Sequence, residues 1–265
     1  MAIITLTSDW SYSDYYVASV KGKILTLMPD AVIIDVSHEI APFNVRHAGF
    51  LLKNCFRDFP QGTIHIIGVN SIESKKHPHV AVKAEGHYFI AADNGVFGQI
   101  LTDFDEAVTI EVPQDTDSFN FAARDRFAKV AAMIAGGTPL SEIGPPRKKL
   151  NGGLYCAVVR DDSIDGLVFH IDSYGNLITN ITKEDFERKR KGRKFKIMVK
   201  GNLYTLYTID KISDSYADVG RTDLVAIFGS HGNLELAFNE ARMASLGGIE
   251  LDFAIRVEFS DDPQA

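Results

Sequence analysis

Residues 63–78 read TIHIIGVNSIESKKHP. Thr63–Val69 is an apolar run that stops at a Gly/Asn/Ser cluster, as a buried strand running into a loop does. In an open α/β sheet, ligands bind where strands end at their carboxyl edge. The loop offers an amide (Asn70), a carboxylate (Glu73), two ammonium groups (Lys75, Lys76) and an imidazole (His77). Those groups pose the functional question of whether a proton is taken from water here.

Outward from this strand, the first half of the chain alternates. Ala2–Leu6 and Ala31–Val36 read as strands, and Tyr15–Met28 and His47–Phe56 carry apolar residues at helical spacing. On the other side, Val80–Lys83 and Tyr88–Ala91 predict a hairpin turning at Glu85-Gly86. Asp93-Asn94-Gly95 opens a short helix through Leu101, Ala107–Val112 is a strand, and Arg124–Ala135 is a helix ending at Gly136-Gly137. Such alternation predicts an α/β N-terminal domain whose largely parallel sheet is flanked by helices on both faces. Glu142–Lys149 is polar, contains proline and lacks periodicity, as a linker does. Beyond it, Tyr155–Arg160, Gly166–Ile171, Lys196–Val199, Asn202–Ile209, Leu224–Gly229 and Ala254–Phe259 are short β-rich runs between Gly and Asn turns. They predict an all-β C-terminal barrel domain. The expected domains are 1–147 and 148–265, with a small ligand in the crevice between them.

The formal charge of −7 over 265 residues argues against a nucleic-acid partner, which requires a concentrated positive surface. The basic run Glu187–Lys194 reads as a solvated turn after a short helix. Cys55 and Cys156 lack CxxC spacing, which fits a reducing compartment. MAIITLTSDW has no basic segment or apolar stretch of signal length, and no run approaches the roughly 20 apolar residues of a membrane span. The expectation is a cytoplasmic chain with no membrane partner.

Common catalytic templates are absent. Neither GxGxxG nor a Walker loop occurs, and Phe228-Gly229-Ser230-His231-Gly232 has its glycines misplaced for GxSxG. His77-Pro78-His79 lacks the cysteine or carboxylate cluster that would complete a metal site, so no metal is expected. Three polar stretches stand out instead. The first is Thr7–Asp14, where Asp9 suits a diol or ammonium and Asp14 is placed either for function or as a helix cap. The second, Asp172–Ile181, surrounds Tyr174 with one carboxylate and two amides, a set suited to a cationic amine and a heteroaromatic ring. The third, Phe228–Asn239, is a polar turn between apolar runs.

Taken in order, TSDWSYSDYYVASVKG, DVSHEIAPFNVRHAGFLL, GTIHIIGVN, GHYFIAADNGVF, FAARDRFAKVAAMIAGG, IDSYGNLITNI, YADV and FGSHGNLELAFN resemble the S-adenosylmethionine (SAM) hydroxide adenosyltransferases, a family that includes the fluorinase and chlorinase. The resemblance covers nearly the whole chain and implies the fold above, with domain 1–147 nucleoside-binding. It also implies a homotrimer with intersubunit active sites. The implied reaction is substitution at C5′ of SAM, giving adenosine and methionine without metal or cofactor. By motif, Asp9 is expected on the ribose hydroxyls, Phe43 along the sugar, and Asp172 on the methionine ammonium. Tyr174 and Tyr216 should flank the adenine, with Asn176 on its edge. Ser230 should hold the methionine part, and the backbone near Asn239 the adenine.

Water-using members of the family place an Asp after the third strand, an Arg several residues on, and a His before the helix near residue 124. Here those positions read Asn70, Lys75 or Lys76, and Ala122. Asn70 can orient water but cannot take its proton, and lysine lacks the planar fork of arginine. Glu73 or His77 is the candidate replacement base. Halide-using relatives carry a hydroxyl-rich loop and an insertion, whereas Asn70–Ser74 is short and Glu73 repels an anion. Three functions follow: a SAM hydrolase with altered water activation, a binding protein that senses or sequesters SAM, adenosine or a related nucleoside, or an enzyme whose remodelled loop serves a different nucleophile or adenosyl substrate.

Overall fold

The run around residue 66 forms the central strand of a six-stranded sheet in a computed structural model that describes residues 1–115, 120–153, 155–201 and 206–261. The chain divides into two compact units, Met1–Leu154 and Tyr155–Ala265. In the first unit the elements are β1 (Ile3–Ser8), α1 (Tyr16–Leu27), β2 (Val32–Ser37), α2 (Val45–Lys53), β3 (Ile64–Gly68), β4 (His79–Ala84), β5 (His87–Ala92), α3 (Phe97–Ile100), β6 (Glu106–Thr109) and α4 (Ala128–Ala135). Strand order is β2-β1-β3-β5-β4-β6.

Side-chain alternation along β3 explains the layering. Ile64 and Ile66 join a core with Val20 and Ile24 of α1 and with Val130 and Ile134 of α4. Ile67 joins a second core with Leu52 of α2 and Phe97 of α3. Both faces are apolar because helices cover both. The sheet is mixed rather than parallel throughout: β2, β1, β3 and β5 run parallel, while β4 opposes both β5 and β6. The two-residue turn Glu85-Gly86, with φ of +51° and +78°, can join only antiparallel strands.

Two local expectations change. The helix predicted from Arg124 opens as a π-helical segment, Ala123–Phe127, before α4 begins. The polar stretch 142–149 is not a free linker. It pairs along β6 through Val108 and Pro146, with Thr109 N–H donating to the Pro145 carbonyl at 2.9 Å. Further on, Asn151 N–H donates to the Asp93 carboxylate at 2.8 Å, so this segment stays with the first unit.

The second unit holds β7 (Val158–Val159), β8 (Ser163–Ile171), β9 (Leu177–Thr182), α5 (Lys183–Arg190), β10 (Lys194–Lys200), β11 (Leu206–Ile209), β12 (Leu224–Phe228), β13 (Asn233–Phe238), α6 (Met243–Gly247) and β14 (Ala254–Ser260). Its antiparallel sheet runs β11-β10-β14-β8-β9-β13-β12, with β7 on β8. The end strands β11 and β12 lie against each other, so the sheet is barrel-like. Strands β9 and β13 were masked in the sequence by polar residues that the fold buries, among them Thr179, Asn180 and Glu235. Of the run Asn202–Ile209, residues 202–205 lie outside the described residues. The basic run begins inside α5, where Arg188, Lys189 and Arg190 occupy the last turn and favour the negative end of the helix. Among the described residues, no helix is long and apolar enough to cross a membrane.

Candidate functional site

In the first unit, β1 and β3 end side by side, with Ser8 opposite Gly68. Asp9 follows at this edge and its Oδ2 accepts the Phe43 N–H at 2.8 Å. Phe43 is 68 % exposed and holds φ at +65°, a conformation that a bulky residue rarely adopts without a compensating contact. One carboxylate oxygen of Asp9 thus positions the aromatic residue expected beside it. Behind Asp9, Ser8 Oγ lies 2.6 Å from His38 Nδ1, and His38 Nε2 lies 3.1 Å from Asp35. Lys21 and Tyr12 also donate to Asp35. Burial pushes the Asp35 carboxyl up, but these hydrogen bonds outweigh it and hold the group below its ordinary range. This network props the loop from beneath. Asp14 is exposed, and α1 is preceded by Tyr15 with no side-chain cap, so Asp14 does not serve as the helix cap.

The loop after β3 carries Asn70, Lys75 and Lys76. Asn70 has φ of +46°, which asparagine tolerates, and its carbonyl accepts Asn94 Nδ2 at 3.0 Å. Lys75 and Lys76 are exposed, and their ammonium groups form no hydrogen bond or ion pair among the described residues. Ala122 is buried in the first core, where a histidine would displace its neighbours. His77 N–H donates to Ser74 Oγ at 3.0 Å in a tight turn. Glu73, in contrast, pairs with Arg126 at 2.7 Å. Arg126 escaped the sequence reading, although an arginine among the apolar positions Ala123, Phe127 and Val130 is a signal in itself.

In the second unit a cavity of about 730 Å³ is lined by Asp172, Tyr174, Asn176, Tyr216, Asn239 and Arg242, among others. Five of the expected residues therefore converge. The turn between β8 and β9 builds its floor: Asn176 donates its N–H and Nδ2 to Asp172 at 2.8 and 3.0 Å. A carboxylate has about four acceptor positions, so Asp172 is oriented but not saturated. Gly175 makes the turn possible with φ of +83°, and a Cβ there would come within 3.0 Å of Arg242 Cβ. Tyr174 is 75 % exposed and forms one aromatic wall. Tyr216 donates its hydroxyl to the buried Glu235, which also lies 3.3 Å from His231 Nε2. Burial, followed by this carboxylate, raises the Tyr216 pKa, so the phenol stays protonated. Glu235 and His231 anchor this ring, and the sequence pattern did not single them out for that role.

Asn239 lines the cavity, but its Nδ2 donates to the Val219 carbonyl at 3.0 Å and its N–H to Asp223. Its own amide groups hold the loop. Ser230 is exposed in the turn between β12 and β13 and does not line this cavity. Among the described residues there is no cluster of metal ligands.

An aromatic-walled cavity with a half-satisfied carboxylate on its floor has the chemistry that a cationic, ring-bearing small molecule would require. The chain belongs to the SAM hydroxide adenosyltransferase family: residues 4–144 match its N-terminal domain and residues 166–256 its C-terminal domain. It is 28 % identical to the (R)-S-adenosyl-L-methionine hydrolase of Methanocaldococcus jannaschii, over 89 % of this chain and 88 % of that protein. It is 26 % identical to the fluorinase of Actinoplanes sp., over 91 % and 92 % of the two chains. A crystal structure of an uncharacterized conserved protein from Thermotoga maritima superposes with a TM-score of 0.84 at 28 % identity, covering 96 % of this chain and 99 % of that one.

Proposed function

We propose that the protein hydrolyses SAM by substitution at C5′, releasing adenosine and methionine. The convergence of Asp172, Tyr174, Asn176 and Tyr216 on one cavity carries this assignment. In it, Asp172 receives the methionine ammonium, Tyr174 and Tyr216 flank the adenine, and Asn176 meets its edge. Asp9 binds the ribose hydroxyls and Phe43 lines the sugar. The backbone near Asn239 meets the adenine, and Ser230, which stands outside the cavity of its own subunit, is assigned to the methionine part. The two half-sites meet across subunits of a homotrimer in the cytoplasm, the C-terminal unit closing as a full barrel. No cofactor is required, because the sulfonium is already a good leaving group. The protein's task is to hold water in line with the C5′–S bond and to exclude bulk solvent.

A second function, sensing or sequestering the nucleoside without turnover, is favoured by Asn70, Lys75, Lys76 and Ala122 at the positions of the expected water-activating groups. Long incubation with SAM, followed by chromatography for adenosine, separates the two. Adenosine that appears with the wild type and disappears with Asp172→Ala supports hydrolysis. Calorimetric binding without adenosine supports the sensor. Absence of both would remove SAM as the ligand.

A further inference from the structure

Arg126 is 8 % exposed and lies in the π-helical segment before α4. Such segments recur at functional sites. Its Nη1 donates to Glu73 Oε2 at 2.7 Å and to His79 Nδ1 at 2.9 Å. His79 Nε2 lies 2.9 Å from the Ser71 carbonyl, which can only accept, so Nε2 carries the proton and Nδ1 presents its lone pair to the arginine. Burial lowers the His79 pKa and keeps the imidazole neutral. Arg126 Nε is buried and has no acceptor among the described residues. A buried N–H without a partner is costly, and an oxygen ligand at this place relieves it.

The cluster belongs to the same edge as Asp9. Trp10 covers the end of β3 so closely that a Cβ on Gly68 would lie 2.1 Å from its ring. Trp10 also meets the Phe121 ring edge-on at 5.7 Å, and Phe121 leads directly into the segment carrying Arg126. Strand β4 runs antiparallel to β5, so His79, paired with Ala92, starts where β5 ends. A carboxylate, a guanidinium and an imidazole are thus gathered at the carboxyl edge of the sheet from three separate segments.

We propose that Glu73, clamped by Arg126, is the carboxylate that orients the attacking water and accepts its proton, with Arg126 and His79 as positioning residues. The assignment rests on the hydrolase function proposed above. The water oxygen forms a bond to C5′ while the C5′–S bond breaks. That electron pair goes to sulfur, which neutralises the sulfonium and frees methionine. The water proton passes to Glu73, whose side chain is 35 % exposed and can return it to solvent. Arg126 engages Oε2, which leaves Oε1, 4.0 Å from His79 Nδ1, as the accepting oxygen.

The test uses the full-length protein and SAM itself, reading binding by calorimetry and adenosine release by chromatography. Glu73→Gln should keep its affinity within about threefold and lose adenosine release by about 100-fold or more. Glu73→Asp, which keeps the carboxylate, should fall between the wild type and Glu73→Gln, and Glu73→Gln combined with Arg126→Gln, which removes the guanidinium left unpaired, decides the case if Glu73→Gln alone unfolds. Arg126→Gln should lower kcat with KM nearly unchanged, and Arg126→Lys should recover part of the loss. Adenosine release at the wild-type rate by Glu73→Gln, or by the Glu73→Gln/Arg126→Gln double variant where Glu73→Gln alone unfolds, overturns the assignment and leaves hydrolysis standing. A wild type that binds SAM and never releases adenosine overturns both.

Discussion

The sheet edge of the first unit and the cavity of the second are built in opposite ways. At the edge, polar groups are tied to one another: Ser8–His38–Asp35–Lys21 on one side, Glu73–Arg126–His79 on the other, with Arg147 and Asn151 on Asp93. In the cavity, a single turn supplies the carboxylate and its amide partner, and exposed aromatic rings form the walls. Cross-linked networks fix charge and geometry in low dielectric, where reactive groups need both. Exposed rings and a half-satisfied carboxylate suit reversible binding. The contrast predicts that the first unit is sensitive to loss of a polar partner and to acid, and the second to distortion of its turn.

The largest effect should come from Arg147→Ala. Asp93 is fully buried, and burial raises its pKa against the opposing Asn151 and Arg147 contacts. Stranding that carboxylate should cost about 3 kcal/mol. The only tryptophan, Trp10, is in the first unit, so its fluorescence during denaturation reads this loss selectively. Adding Asp93→Asn should recover part of the loss; no recovery would mean that the arginine acts through packing alone.

Acid should come next. His65 is fully buried beside His87, and burial followed by that neighbour pushes its pKa down to about 3. The folded state therefore resists protonation more than the unfolded chain. This contribution is fully present above the ordinary histidine pKa of about 6.5 and is lost as pH falls from there toward about 3. His65 alone should remove about 2 kcal/mol between roughly pH 7 and 5. Replacing it by glutamine should flatten the pH dependence of Trp10-detected unfolding, and an unchanged slope would contradict its role.

Gly175→Ala should be smaller and confined to the second unit. The left-handed turn and the crowding against Arg242 should cost about 1 kcal/mol. Calorimetry should show SAM binding several-fold weaker, while the Trp10 transition stays in place. Smallest of all, Lys75→Ala should change stability by less than about 0.5 kcal/mol, and adenosine release should stay near the wild-type rate. A large loss would return Lys75 to the reactive centre and displace Arg126 from it.

Much was readable before folding because it is local. Apolar period and turn residues place β3, the Glu85-Gly86 hairpin and the Asp172–Asn176 turn, each set by residues a few positions apart. The five cavity residues are legible for the same reason, since most lie in short polar stretches that interrupt apolar runs. Strands β9 and β13 were hidden because their buried polar residues break the alternation that marks a strand. The stretch 142–149 read as a linker because its partners, the β6 backbone and Asp93, are distant in sequence.

The amino-acid sequence by itself determined the family, the alternating core and the turn residues that come to line the cavity. Only the tertiary structure decided which charged side chains stand together. Glu73, His79 and Arg126 are separated by as many as 53 positions, and no local pattern links them. Their meeting depends on an antiparallel return strand and on a helix that starts at the same sheet edge, and only that convergence brings a guanidinium within hydrogen-bonding distance of both a carboxylate and an imidazole.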